Sequence, residues 1–267
     1  RKLPLRFQNK GKNNEKNKRR KILSTQNTTH AVMSQRHEAS DSLDYFPTPP
    51  WATRALFQEI LKPNWLFPHQ PKDDIVLETC LEPACGGGHM VKVLQEYFLE
   101  VESCDVADYG QDRIADFLSS DVAGDYDFII TNPPFNLAEE FVLKALPMAR
   151  QCVAIFARTQ FMESIGRYER LFKPHPPQFI AQFSERVPIV KGRLSATAST
   201  ATSYAWFIWR GTAGGIKTIE TQLLWIPPSR RIWEKAADYE ESLDATHPRP
   251  TGHAPQANLF GETKGDI

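Results

Sequence analysis

Apolar residues in the middle of the chain follow two alternating rhythms. Stretches at 75–81, 99–104, 127–131, 152–157 and 204–210 have the length and apolar content of sheet strands, and 127–131 and 152–157 read as buried. Between them the spacing lengthens to that of helices. Apolar positions 52, 55, 56, 57 and 60 share one face of a helix over 52–61, and 137, 138, 141, 142, 145 and 146 one over 136–150. Residues 90–98 and 166–172 read as further helices, and 179–183, 187–190 and 218–226 as further strands, with a turn at 211–217. Strand and helix alternate from 75 to 157, and a hairpin follows. This predicts an α/β fold, a doubly wound and mostly parallel sheet with helices on both faces.

The run at 127–131 cannot continue, because Asn132-Pro133-Pro134-Phe135 follows it. Two prolines remove two donors and fix φ, so the chain leaves the sheet as a rigid extended loop. That loop carries an amide and an aromatic ring at the carboxyl end of a strand, where ligands bind in open α/β sheets. The bland reading is an ordinary Pro-Pro turn with Phe135 in the core. Upstream, the strand at 75–81 runs into Glu82-Pro83-Ala84-Cys85-Gly86-Gly87-Gly88, and a helix follows. An acid and then Gly-x-Gly between strand and helix suits a nucleotide loop. No Lys-Ser/Thr follows, so it is not a Walker loop, and the third glycine of the dinucleotide fingerprint is missing. Asp105 ends the next strand, 23 residues after Glu82, where a carboxylate can take both ribose hydroxyls; Asp108 competes for that role.

These features together resemble the S-adenosylmethionine-dependent amino-methyltransferases with an Asn-Pro-Pro-Phe loop, in particular the DNA N6-adenine enzymes of phage and prophage type. The resemblance covers roughly residues 45–210 and implies a Rossmann-like class I methyltransferase fold with a seven-stranded sheet. It implies that Asn132 and the Pro133 carbonyl accept hydrogen bonds from the target amine, with Pro134 fixing the loop and Phe135 stacking on the base. Glu82, Pro83, Ala84, Gly86 and Gly88 match the cofactor loop. Tyr45, Phe46, Thr48 and Pro49 match a Phe-Pro-Thr-Pro strap over the methionine end of the cofactor; a strap that merely covers the sheet edge is the alternative. Asp116 and Phe117 match an adenine-reading pair, with Asp121 as a second candidate. The mechanism implied is direct in-line transfer with no metal.

Composition sets bounds on this reading. Of 267 residues 41% are apolar, enough for one sizeable core. The formal charge of zero hides an asymmetry. Residues 1–39 hold 11 Lys/Arg against 2 Asp/Glu, whereas the remainder holds 21 against 30. Attraction to nucleic acid must therefore come from the tail or a local patch. The four cysteines lack metal-site spacing and sit in or beside apolar runs, as expected in a reducing compartment. No run approaches a membrane span and no signal-peptide pattern opens the chain, so a soluble cytoplasmic protein is expected.

The expected organisation is a basic disordered tail at 1–39, a methyltransferase domain at 40–230 and a largely disordered extension at 231–267. The chain does not open with Met, and Met33 precedes the first organised segment; residues 1–32 read either as an overextended start or as a basic arm. Within the domain, 173–203 is a small insertion bearing Arg186, Lys191 and Arg193, suited to backbone phosphates or else a solvated hairpin. In the extension, Gln256-Ala257-Asn258-Leu259-Phe260 resembles the peptide by which bacterial proteins bind the replication sliding clamp. The expected substrate is double-stranded DNA with a flipped adenine. The rivals are methyl transfer to ribosomal RNA or to a protein glutamine, and a non-catalytic nucleic-acid-binding module that keeps the fold.

Overall fold

The computed structural model describes residues 44–66, 77–198, 200–210 and 220–243. The chain divides into two units, Arg1–Ser40 and Asp41–Ile267, and every described residue belongs to the second. The basic tail, the start of the first predicted strand, the turn at 211–217 and the clamp-like peptide at 256–260 lie outside the described residues.

A single sheet organises the second unit. Its strands are β1 (Leu77–Glu82), β2 (Phe98–Asp105), β3 (Arg113–Ile114), β4 (Tyr126–Thr131), β5 (Ala149–Arg158), β6 (Phe179–Phe183), β7 (Tyr204–Arg210) and β8 (Gln222–Ile226). They lie in the order β3-β2-β1-β4-β5-β7-β6-β8. β7 runs antiparallel to both β5 and β6, while the other neighbours pair in parallel. This is the Rossmann-like class I methyltransferase fold expected from the sequence, with eight strands rather than seven. The additional strand, β8, pairs in parallel with β6 at the edge. The strand order reverses between β1 and β4, and this switch point opens a crevice at their carboxyl ends.

The central strands are apolar on consecutive positions because both faces are covered. Residues 127–131 of β4 and 204–209 of β7 are buried throughout. One face packs against α1 (Pro50–Ala55), where Trp51, Ala52 and Ala55 are fully buried and the Trp206 indole N–H donates to the Ala52 carbonyl at 3.1 Å. The other face packs against α3 (Ala138–Met148) through Phe141, Val142 and Ala145.

The elements differ from expectation where proline or a tertiary contact intervenes. The helix read over 52–61 is α-helical only to Ala55 and continues as a wider π-helical stretch, Leu56–Leu66, which contains Pro63. A proline has no amide proton and its ring crowds the carbonyl four residues back, so those turns cannot close at α pitch. α2 (His89–Leu94) stops before 98, because Tyr97 turns to stack on Phe57, with ring centroids 4.0 Å apart, and Phe98 enters β2. A 3-10 turn, Phe135–Leu137, precedes α3, and Ala149 and Arg150 belong to β5 rather than to the helix. Residues 187–190 form no strand; only the isolated bridge between Val190 and Arg193 is present. Pro188 denies the ladder a donor there.

The fold also runs past residue 230. α4 (Arg230–Trp233) and a 3-10 segment, Ala236–Leu243, return to α1. Arg54, 4% exposed, bonds both carboxylate oxygens of Glu96, both of Asp238 and the Trp233 carbonyl at 2.7–3.0 Å. Removing one partner of a buried ion pair leaves the other charges uncompensated, at a cost of about 3–5 kcal/mol. Arg54→Met is therefore expected to lower the unfolding free energy by about that amount in a urea titration. A loss below about 1 kcal/mol, the range of exposed pairs, would show that the cluster does not hold the C-terminal segment to α1.

Candidate functional site

The crevice at the β1/β4 switch is a cavity of about 600 Å³, mouth included. Three chain segments build it. β1 delivers Glu82 and turns through Pro83 and Ala84 into the glycine loop. Gly86 has φ +48°, and a side chain there would meet the Tyr45 ring at 2.5 Å, so only glycine fits beneath that ring. Gly88, at φ +74°, is the N-cap of α2. β2 delivers Asp105, and β4 delivers Asn132.

Asn132 is held in one amide orientation. Its Nδ2 donates to the Phe46 carbonyl at 2.7 Å, and because a carbonyl only accepts, this bond fixes the amide orientation. The Oδ1 is left buried and without a partner. Phe135 is fixed through its backbone, its N–H donating to the Asp44 carboxylate at 2.9 Å. Its ring lies 5.2 Å from that of Phe46, and the Arg158 guanidinium sits 3.9 Å from its centroid. Pro134 lines the cavity, while Pro133 is buried beside it.

Each acid in the cavity is in a different state. Glu82 is 1% exposed; its Oε1 accepts from the Ala84 N–H at 3.2 Å and its Oε2 has no partner. Burial pushes its carboxyl up to about 8. The two oxygens of Asp105 take the N–H groups of Gly86 and Ala107 at 2.9 and 3.1 Å, each keeping a second lone pair. Burial raises its pKa above the ordinary carboxylate value, against the pull of those amides. Asp108 is exposed, caps its own turn at Gly110 and does not reach the cavity.

Tyr45, Phe46, Thr48, Glu82, Ala84 and Gly86 line the cavity together with Asp105 and Asn132. Pro49 is instead the N-cap of α1. Asp116 and Phe117 are not brought to the cavity. Asp116 is exposed and accepts from the Leu118 N–H in a local turn, and Phe117 is buried against Phe141. Asp121 is exposed as well. Val106 and Tyr109 line the wall beyond Asp105, with the Tyr109 ring stacked on Tyr45 at 5.4 Å. Tyr109 and His89 had no signal in the sequence beyond their nearness to Asp105 and to the glycine loop. Burial depresses the His89 imidazole to about 4, so it is neutral at physiological pH.

The insertion at 173–203 touches the strap directly. Gly192, at φ +80°, donates its N–H to the Tyr45 carbonyl at 2.8 Å. Lys191 and Arg193 flank it and are exposed. Arg186 braces the insertion from within, its Nη1 bonding the Ala201 carbonyl at 2.6 Å and the Ser203 hydroxyl at 3.1 Å. Among the described residues no cluster of His, Cys, Asp or Glu could hold a metal ion, and no helix is long and apolar enough to cross a membrane.

Neither a protein-family model nor a curated protein sequence matches the chain. Solved structures resemble it distantly. A candidate RNA methyltransferase from Pyrococcus horikoshii is 16% identical, with 50% of this chain and 74% of that one covered and a TM-score of 0.39. The N-methyltransferase NodS from Bradyrhizobium japonicum is 14% identical, over 51% of this chain and 86% of its own, with a TM-score of 0.35. The magnesium protoporphyrin IX methyltransferase of Synechocystis, solved with bound SAM, is 11% identical over 52% and 72%, with a TM-score of 0.34. The fold assignment rests on the strand order and not on these likenesses.

The two shifted groups oppose each other in pH. Folded Glu82 keeps a proton up to about pH 8 that the unfolded chain releases near 4.5, so stability falls as pH rises through that window. Folded His89 refuses a proton down to about pH 4 that the unfolded chain takes up near 6.5, so its contribution falls as pH drops. Of these two, Glu82 alone acts between 6.5 and about 8. The thermal midpoint should decline across that interval in the wild type and stay level in Glu82→Gln. A level wild-type profile, or an equal decline in the variant, would contradict the assignment.

Proposed function

We propose that this chain is an S-adenosylmethionine-dependent methyltransferase acting on the exocyclic N6 amine of adenine in DNA. The observation that carries the proposal is the Asn132 amide, whose Oδ1 is a buried acceptor with no partner and whose orientation is set by the Phe46 carbonyl. An unmet acceptor at that depth is costly unless a ligand donor meets it. An aryl amine is such a donor.

The cavity residues fit the cofactor. The unpartnered Oε2 of Glu82 suits an ammonium, the second lone pairs of Asp105 suit ribose hydroxyls, and Gly86 keeps the wall free of side-chain atoms. When bound, S-adenosylmethionine supplies a methyl group activated by a sulfonium. The remaining work falls to the chain. Asn132 Oδ1 and the Pro133 carbonyl draw the two N–H bonds of the amine toward themselves, so its lone pair leaves the ring π-system and points at the methyl. These acceptors would hold the amine nitrogen in line with a bound sulfonium methyl, so that transfer would leave the surplus proton of the methylated amine to pass to water. Such an amine needs no general base before transfer.

The acidic body supports a local rather than global attraction to DNA. Lys191 and Arg193, exposed beside the strap, are the residues proposed to meet phosphates, with Arg186 setting the shape of their loop. Binding of a sliding clamp through 256–260 remains a proposal from the sequence.

The test is transfer of labelled methyl to unmethylated DNA, with RNA and a protein extract in parallel, followed by nucleoside analysis. N6-methyladenine in DNA is expected; label confined to RNA or protein would overturn the substrate. Asn132→Ala should lower transfer by about 10²–10³-fold, the scale for one lost transition-state acceptor, with cofactor affinity nearly unchanged. Loss of both together would show that Asn132 is structural.

A further inference from the structure

Arg158 has no role in the reaction as described, yet it sits against the residue expected to receive the base. It closes β5, in register with Tyr204 of β7. Its guanidinium carbon lies 3.9 Å from the centroid of Phe135 and 5.8 Å from that of Phe46. The Nε is buried and has no hydrogen-bond partner. The group faces the Tyr204 hydroxyl, and no carboxylate pairs with it among the described ion pairs. A planar cation therefore rests on an aromatic face, bonded to a phenol rather than salt-bridged to a carboxylate among the described residues, with its Nε donor unused.

Two flat groups cannot share one ring face. A base that stacks on this face of Phe135 must displace the guanidinium. We propose that Arg158 is a displaceable gate: without substrate it holds the stacking face of Phe135, and on entry of a nucleotide it yields that face to the base and moves to the nucleotide's phosphate. The exchange is favourable for a nucleotide because base stacking replaces a cation–π contact and the unused donor gains a charge-assisted bond. It is unfavourable for an acceptor without phosphate, such as a glutamine side chain, which would displace the cation and offer it nothing. Arg158 thereby acts as a specificity residue rather than a catalytic one. The inference rests on the nucleic-acid reading proposed above.

The test compares wild type, Arg158→Ala and Arg158→Lys on short unmethylated duplexes carrying the sequence that the wild type methylates. Binding is followed by fluorescence anisotropy over a range of salt, and transfer by steady-state kinetics. One lost phosphate contact makes the log–log salt dependence shallower by about 0.9. The Ala variant should show that change and a KM raised by about tenfold, the scale of one charge-assisted bond, with kcat little altered. The Lys variant, which keeps the charge, should retain the wild-type slope. An unchanged slope in the Ala variant, or a fall in kcat with KM unaltered, would overturn the gate and leave the methyltransferase reading standing. If the wild type methylates only protein, both fall together.

Discussion

The hydrogen bond from Asn132 Nδ2 to the Phe46 carbonyl is the constraint on which the site depends. It joins the loop after β4 to a short extended segment that precedes α1, and it fixes which way the amide points, leaving Oδ1 as a buried acceptor. The same segment contributes three further ties. The Asp44 carboxylate holds the Phe135 amide, the Tyr45 carbonyl holds Gly192, and the Tyr45 ring covers Gly86 and Gly87. Pro47 and Pro49 keep the segment extended, and Pro50 occupies the first turn of α1, where a missing N–H costs nothing. A few residues thereby set the relative positions of the glycine loop, the Asn-Pro-Pro-Phe loop and the tip of the insertion. Geometry of this kind, held by backbone groups rather than by long side chains, suits transfer chemistry that depends on alignment.

The cavity holds acids whose ionisation a cationic ligand would change. Burial favours the protonated form of Glu82 and the neutral form of His89, so both are biased against a formal charge at rest. An ammonium beside Glu82 would favour its carboxylate, and binding would release the proton that burial retains. Asp105 meanwhile steadies the glycine loop through Gly86 while keeping lone pairs for hydroxyl donors. In the proposed complex one carboxylate responds to the ligand and the other organises the wall.

What was legible in the sequence was whatever local pattern determines. β4 and β7 could be read because both of their faces are buried, and the Glu82-to-Gly88 turn because positive φ demands glycine. The setting of Asp116 and Phe117 was not legible, for the opposite reason. Their order along the chain matches the resemblance, but Phe117 enters the core against Phe141 and Asp116 caps a local turn. At 187–190 the apolar pattern is genuine, and Val187 and Ile189 are buried, yet Pro188 breaks the ladder. The return of 230–243 to α1 depends on Arg54 meeting Asp238, 184 positions away, which no local window reveals. Arg158 escaped notice likewise, since its meaning lies in the ring it covers.

Binding of S-adenosylmethionine in the cavity at the β1/β4 switch is the premise of every chemical role proposed for its residues. Calorimetric titration of the full chain with S-adenosylmethionine measures this directly, before any acceptor is chosen. The account predicts saturable one-to-one binding, weakened by about tenfold or more in Asp105→Ala through the loss of hydrogen bonds to a charged group. Absence of saturable binding, or equal affinity in the Asp105 variant, would contradict it.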